Sequence, residues 1–127
     1  MAKKSKHPTE SELEILKVIW ENGPSTVRQV NEKLNERREV GYTTSLKLMQ
    51  IMVEKKLLKR NTKTRTHVYS SAIQKEDTQR QLLDSLLETA FGGSAQSLVM
   101  QALGNHKSSK KELEEIRRYI EKLEGGA

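Results

Sequence analysis

A chain of 127 residues, 31% charged and 34% hydrophobic, has room for one compact domain or two small lobes and excludes a large multidomain enzyme. Only 4% of the residues are aromatic and none is cysteine, so the core must come from Leu, Ile, Val and Met in helices, while disulfides, thiolate metal sites and cysteine nucleophiles are excluded. The net charge of +6 is concentrated at one end: residues 1–71 hold 15 Lys/Arg against 8 Asp/Glu, and residues 72–127 hold 8 against 9, the asymmetry of a polyanion-binding lobe joined to a neutral interaction lobe.

The first predicted element is a helix from Thr9 to about Asn22. Leu13, Ile15, Leu16, Val18, Ile19 and Trp20 gather on one broad side, Thr9 and Glu12 make a capping box, and Asn22-Gly23-Pro24 ends the run. A second helix follows from Thr26 to about Arg37, capped in the same way by Thr26 and Gln29, with Val27, Val30 and Leu34 at helical spacing. Charged, glycine-broken Glu36 to Gly41 reads as a connecting turn.

The third helix should begin at Thr43 or Thr44 and reach about Lys56. It uses two faces: Leu48, Met49 and Met52 on one, and Thr44, Lys47, Ile51 and Glu54 on the other. Next come Leu57–Arg60, a polar basic stretch at 61–66 and His67–Ser70, whose β-branched and aromatic flanks predict a short hairpin with His67 in its second strand. Three helices and a small basic hairpin outline a winged helix-turn-helix.

That outline gives each part a role on duplex DNA. A third helix fits the major groove, where all four base pairs look different. Thr43 and Thr44 are placed to cap it and to meet a phosphate or a thymine methyl, Lys47 to reach a guanine edge or a phosphate, and Gln50 to pair with adenine. Lys63 and Arg65 at the hairpin tip would sit on the neighbouring backbone, adding affinity and salt dependence rather than sequence preference. Tyr42, Thr26, Arg28 and His67 complete the expected DNA-contacting set. Solvated surface charge explains most of these cations singly; it explains them less well as a cluster, since residues 40–71 hold seven Lys/Arg and one acid.

The second half reads as three helices. Residues 75–91 carry Leu82, Leu83, Leu86, Leu87, Ala90 and Phe91 on a broad face closed by Gly92-Gly93; Ser94 caps a short helix with Leu98, Val99, Ala102 and Leu103 that runs up to Gly104; Ser109 and Glu112 box the last helix, along which Leu113, Ile116, Ile120 and Leu123 recur. About fifty residues are too few to close a substantial private core. Either a second copy covers the stripe or these helices fold back on the first lobe, and the partner is the stronger expectation. The expected domains are a DNA-binding domain over 1–72 and a helical dimerisation domain over 73–127.

The residues also resemble a known family. Thr9-Glu-Ser-Glu-Leu-Glu-Ile-Leu-Lys-Val-Ile-Trp-Glu-Asn-Gly-Pro, Thr26-Val-Arg-Gln-Val, Gly41-Tyr-Thr-Thr-Ser-Leu-Lys-Leu-Met-Gln-Ile-Met-Val-Glu-Lys-Lys-Leu-Leu, His67-Val-Tyr and Phe91-Gly-Gly-Ser-Ala-Gln-Ser-Leu-Val are similar, in order, to the penicillinase repressor (BlaI/MecI) family. The resemblance implies a dimeric transcriptional repressor on an inverted-repeat operator. It carries over Thr43, Thr44 and Lys47 as reading positions, with Gln50 more weakly. It also implies induction through a membrane metalloprotease that cuts the dimerisation lobe; the family's Asn-Phe bond aligns near Gln101-Ala102, a pair that differs here. Copper-responsive relatives hold metal through a cysteine pair that this chain lacks, so that form of sensing is excluded.

Catalysis finds little support. Ser108-Ser-Lys-Lys111 fits a serine-x-x-lysine pattern, but it lies at a helix start where serines serve as caps, and no companion motif exists. His7, His67 and His106 lack ligand spacing, Gly92-Gly93 lacks the Lys-Ser/Thr of a nucleotide loop, and no metal or other cofactor is expected. No apolar run reaches the ~20 residues that span a bilayer, and basic Met1–His7 leads into Pro8 and acid rather than a signal-peptide core, so a cytoplasmic location is expected. A helical interaction module whose basic lobe binds an acidic protein is the alternative to a repressor. The expected fold is mainly α: a winged helix-turn-helix followed by a three-helix dimerisation lobe.

Overall fold

The computed structural model describes residues 7–125; of the basic stretch weighed above as a leader, all but His7 lies outside them. The order is α1 (Glu10–Asn22), α2 (Val27–Leu34), α3 (Tyr42–Glu54), β1 (Leu58–Asn61), β2 (Val68–Ser71), α4 (Lys75–Phe91), α5 (Ala95–Asn105) and α6 (Lys110–Leu123). Two compact units result, Met1–Leu82 and Leu83–Ala127. The division falls within α4, and buried Thr78 lies on the first unit's side of it.

Local chemistry sets the helix starts. Thr9 with Glu12, Thr26 with Gln29 and Ser109 with Glu112 all form complete capping boxes, each satisfying two amides that helix geometry leaves orphaned. Ser94 accepts from the Ser97 amide and caps α5. The second helix stops at Leu34, three residues before the expected Arg37, because Asn35 turns its side chain onto the backbone of Val40. The third helix begins at Tyr42 with Gly41 as its N-cap and no side-chain cap bond. Thr43 and Thr44 are therefore in the helix and do not cap it, which corrects the sequence expectation.

The core of the first unit joins Ile15, Leu16 and Ile19 of α1, Val27, Val30 and Leu34 of α2, Met49 and Met52 of α3, and Leu57, Leu58 and Tyr69 around the hairpin. Each aliphatic side chain buried this fully contributes about 1.5–3 kcal/mol. The strands pair antiparallel with Leu58 opposite Ser71 and Asn61 opposite Val68. The other edge of β2 is covered by Ser25, whose amide and carbonyl both bond Tyr69 at 2.9 and 2.8 Å, so the link between α1 and α2 acts as a one-residue third strand. His67 falls one residue before β2 and is exposed, not a strand residue as expected, because pairing ends at Val68. A half-buried polar tie completes the frame: buried Glu12 accepts from exposed Lys55 Nζ at 2.8 and 2.9 Å, linking the start of α1 to the end of α3.

The third helix ends in a Schellman turn. The Leu57 amide donates to Met52 O at 2.8 Å and the Lys56 amide to Val53 O at 3.1 Å, which forces Lys56 to φ +67°. A side chain there costs about 1 kcal/mol relative to glycine. Lys56→Gly is expected to raise stability by about 0.5–1 kcal/mol, a rise of a few degrees in Tm by calorimetry. An unchanged or lower Tm would show that Lys56 makes compensating contacts.

Candidate nucleic-acid interface

One side of α3 is anchored by fully buried Ser45, Met49 and Met52, and the opposite side is open. The open side presents Thr43, Thr44, Lys47, Gln50, Ile51 and Glu54 at helical spacing, with Tyr42, 48% exposed, at the helix start. The two faces expected from the sequence are both present.

Beside this helix lies a groove of about 380 Å³ lined by Thr26, Val27, Arg28, Tyr42, Leu46, Arg65, Thr66, His67 and Tyr69. Five of the expected DNA-contacting residues (Thr26, Arg28, Tyr42, Arg65 and His67) thus meet at one place from three elements: the N-terminus of α2, the N-terminus of α3 and the hairpin tip. The tip is shaped locally, with the Lys63 amide donating to Asn61 Oδ1 at 2.9 Å and Thr64 Oγ1 donating to Thr66 O. Lys63 is exposed on this tip, outside the groove.

The electrostatics of the groove are one-sided, since no carboxylate lines it. Among the described residues the carboxylates pair with Lys33, Arg38, Lys55, Arg80 and Arg117, and none of the ion pairs involves Arg28, Lys47, Lys63 or Arg65. Arg38 is committed to Glu14; the hydrogen bond it donates holds that carboxyl below its ordinary range against the opposing effect of burial. Lys59 and Arg60 of β1 are likewise exposed and outside every ion pair among the described residues. They belong to the basic run of residues 40–71 and stand on β1 with Lys59 opposite Ser70 and Arg60 opposite Tyr69. The N-terminus of an α-helix, unpaired guanidinium groups and a tyrosine hydroxyl together suit a phosphate oxygen.

The second unit has a different character. Among the described residues of 83–125 none is buried. Leu83 and Leu86 of α4, Val99 and Met100 of α5, and Leu113, Tyr119, Ile120 and Leu123 of α6 are all exposed, with Leu123 at 68%. Leu98 and Ile116 are half-buried here, and so are Leu82, the last residue of the first unit, and Phe91 at the end of α4. Gln101 and Ala102 are exposed within regular α5 rather than in a loop. Ser109 serves as the N-cap of α6, which accounts for one serine of the Ser108–Lys111 motif. Among the described residues no group of His, Asp or Glu is arranged to hold a metal ion and no helix is long and apolar enough to cross a membrane.

Three helices, an antiparallel hairpin and a cation-lined groove at the start of the third helix define a winged helix-turn-helix protein with an appended helical lobe. The model of the penicillinase repressor family matches residues 8–122, and the chain belongs to that family. It is 26% identical to the penicillinase repressor of Staphylococcus aureus over 117 residues, covering 92% of this chain and 93% of that one. It is 30% identical to the transcriptional regulator BlaI of Mycobacterium tuberculosis over 104 residues, 81% of this chain and 74% of the relative. The penicillinase repressor of Bacillus licheniformis is 25% identical over 119 residues, 94% and 93% of the two chains.

Proposed function

We propose that this protein is a transcriptional repressor that binds an inverted-repeat operator in duplex DNA as a homodimer. The acid-free groove between α2, α3 and the hairpin carries the reading: it adjoins an open helix face of a width the major groove admits, and its cations have no carboxylate to satisfy them. Thr43, Thr44, Lys47 and Gln50 read base edges. Thr26, Arg28, Tyr42, Lys63, Arg65 and His67 hold phosphates and set the register. A second copy covers the apolar face of α4, α5 and α6, and two-fold symmetry matches two reading helices to two half-sites.

The reading places the protein in the cytoplasm, without cofactor or small-molecule substrate. Release follows cleavage of the second lobe by a membrane metalloprotease near Gln101 and Ala102; exposure of both residues supports this, and their helical conformation means α5 must open locally before it is cut.

Selection of duplexes from a randomised pool tests the function. The full chain is expected to enrich a two-fold symmetric sequence, with affinity falling about 10-fold or more between 50 and 200 mM salt, as for several neutralised phosphates. Equal binding to every duplex and to heparin would reduce the groove to a general polyanion site. Binding to an acidic protein with no enrichment of any duplex would favour the interaction module instead.

A further inference from the structure

The turn of α3 that faces the bases lacks a cap of its own, since Gly41 offers no side chain. The preceding helix supplies what is missing. The Asn31 amide donates both of its hydrogens across the connecting turn, to Ser45 Oγ at 2.9 Å and to Val40 O at 3.0 Å. One turn further on, at the C-cap of α2, Asn35 brackets the same residue: its Oδ1 accepts from the Val40 amide at 3.1 Å, while its Nδ2 donates to Val40 O at 2.9 Å and to Asn31 O at 2.7 Å. Both backbone polar groups of Val40 are thus held from α2, immediately before the helix begins, and Ser45, fully buried in the first turns of α3, is held as well.

The fully buried apolar contacts of α3 leave this constraint loose, and Leu46, Leu48 and Val53 pack against the core only at its partly exposed margin. The helix's fully buried apolar side chains are Met49 and Met52, and unbranched, rotatable methionines fill space without fixing how a helix is rotated. Hydrogen bonds have direction, and a helix tied by two amides near its start has one azimuth and one height. Base reading needs that accuracy, because a recognition geometry tolerates only about 0.5 Å of error. Phosphate contacts made by long flexible cations need much less.

We propose that Asn31 and Asn35 are positioning residues for sequence discrimination. Acting through Val40 and Ser45, they fix the first turn of α3 and thereby set which base edges Thr43, Thr44 and Lys47 reach. The inference rests on the DNA-reading function proposed above and adds the part of the molecule that makes the reading selective.

The test compares the full chain and its variants on two duplexes: the one enriched by the wild type from a randomised pool, and a scrambled duplex of the same length and composition. Asn31→Ala is expected to weaken binding to the enriched duplex about 10-fold or more, the scale of one lost base-reading contact, while binding to the scrambled duplex stays within about twofold, as phosphate-only binding requires. Asn35→Ala is expected to act in the same sense.

Loss of stability is separated by a second variant. Asn31→Ala strands the buried Ser45 hydroxyl and should lower Tm; adding Ser45→Ala removes the stranded group and should return Tm toward the wild type, since deleting both partners costs less than deleting one. Discrimination should remain lost in the double variant. Wild-type discrimination in Asn31→Ala, equal losses on both duplexes, or recovery of discrimination together with Tm would each overturn the positioning role while leaving DNA binding intact. If the wild type enriches no duplex, the DNA-reading function fails first and the inference fails with it.

Discussion

Ile120→Asp is expected to convert the protein to monomers and to cost operator binding about two orders of magnitude. Ile120 is 47% exposed on α6 and stands in line with Leu113, Ile116 and Leu123. In a two-fold interface every substitution occurs twice, so one change brings two carboxylates to the same seam. Unpaired charge in an apolar contact costs several kcal/mol after relaxation, and about 4 kcal/mol already weakens an association roughly a thousandfold. Once the protomers separate, the second half-site must be bound from solution rather than at the effective concentration set by the tether, a loss of about 10²–10⁴ in avidity. Sedimentation equilibrium should report the monomer mass, and titration of a full operator should give the affinity of a single half-site. Because no described residue of 83–125 is buried, the substitution removes little core, and the Tm of the first unit should hold. A dimer that persists unaltered would reject the assignment of this face.

The parts of the fold that sequence discloses are those specified within one helical turn. The boxes at Thr9/Glu12, Thr26/Gln29 and Ser109/Glu112 join residues three apart, so three helix starts were legible and all three form. The start of α3 was not, because Val40 and Ser45 are held by an amide 9 and 14 residues away, and neither asparagine differs in sequence from a solvated one. The Ser25 to Tyr69 pairing and the 43-residue span from Glu12 to Lys55 are hidden for the same reason. The division within α4 leaves no trace in periodicity, since the helix runs without interruption from Lys75 to Phe91.

The candidate site divides along the same line. A basic run between residues 40 and 71 is plain in the sequence, and so is the resemblance of Gly41-Tyr-Thr-Thr to reading-helix residues of a known family. Which cations remain available is a matter of tertiary pairing: Lys55, though exposed, is tied to the buried carboxylate of Glu12, whereas Arg28 and Arg65, distant in sequence, line one groove.

That division of cations sets the second large effect. Lys47→Ala should change which sequences are preferred, and Arg65→Ala should weaken all sequences alike. Lys47 lies on the open face of α3 among Thr43, Thr44 and Gln50, where a lost base contact costs about 1–3 kcal/mol on the cognate sequence and little elsewhere. Arg65 belongs to the hairpin tip and lines, with Arg28 and His67, a groove without acids, the environment of a phosphate contact. Its removal should cost enriched and scrambled duplexes the same factor and should lower the slope of log affinity against log salt by about 0.9, one neutralised phosphate. Lys47→Ala should leave that slope nearly unchanged if its partner is a base edge. Measuring both variants on both duplexes at four salt concentrations separates the roles. A uniform loss for Lys47→Ala with a lowered slope would move that lysine to the backbone, and a shifted preference for Arg65→Ala would place the hairpin tip in a groove instead of on the phosphates.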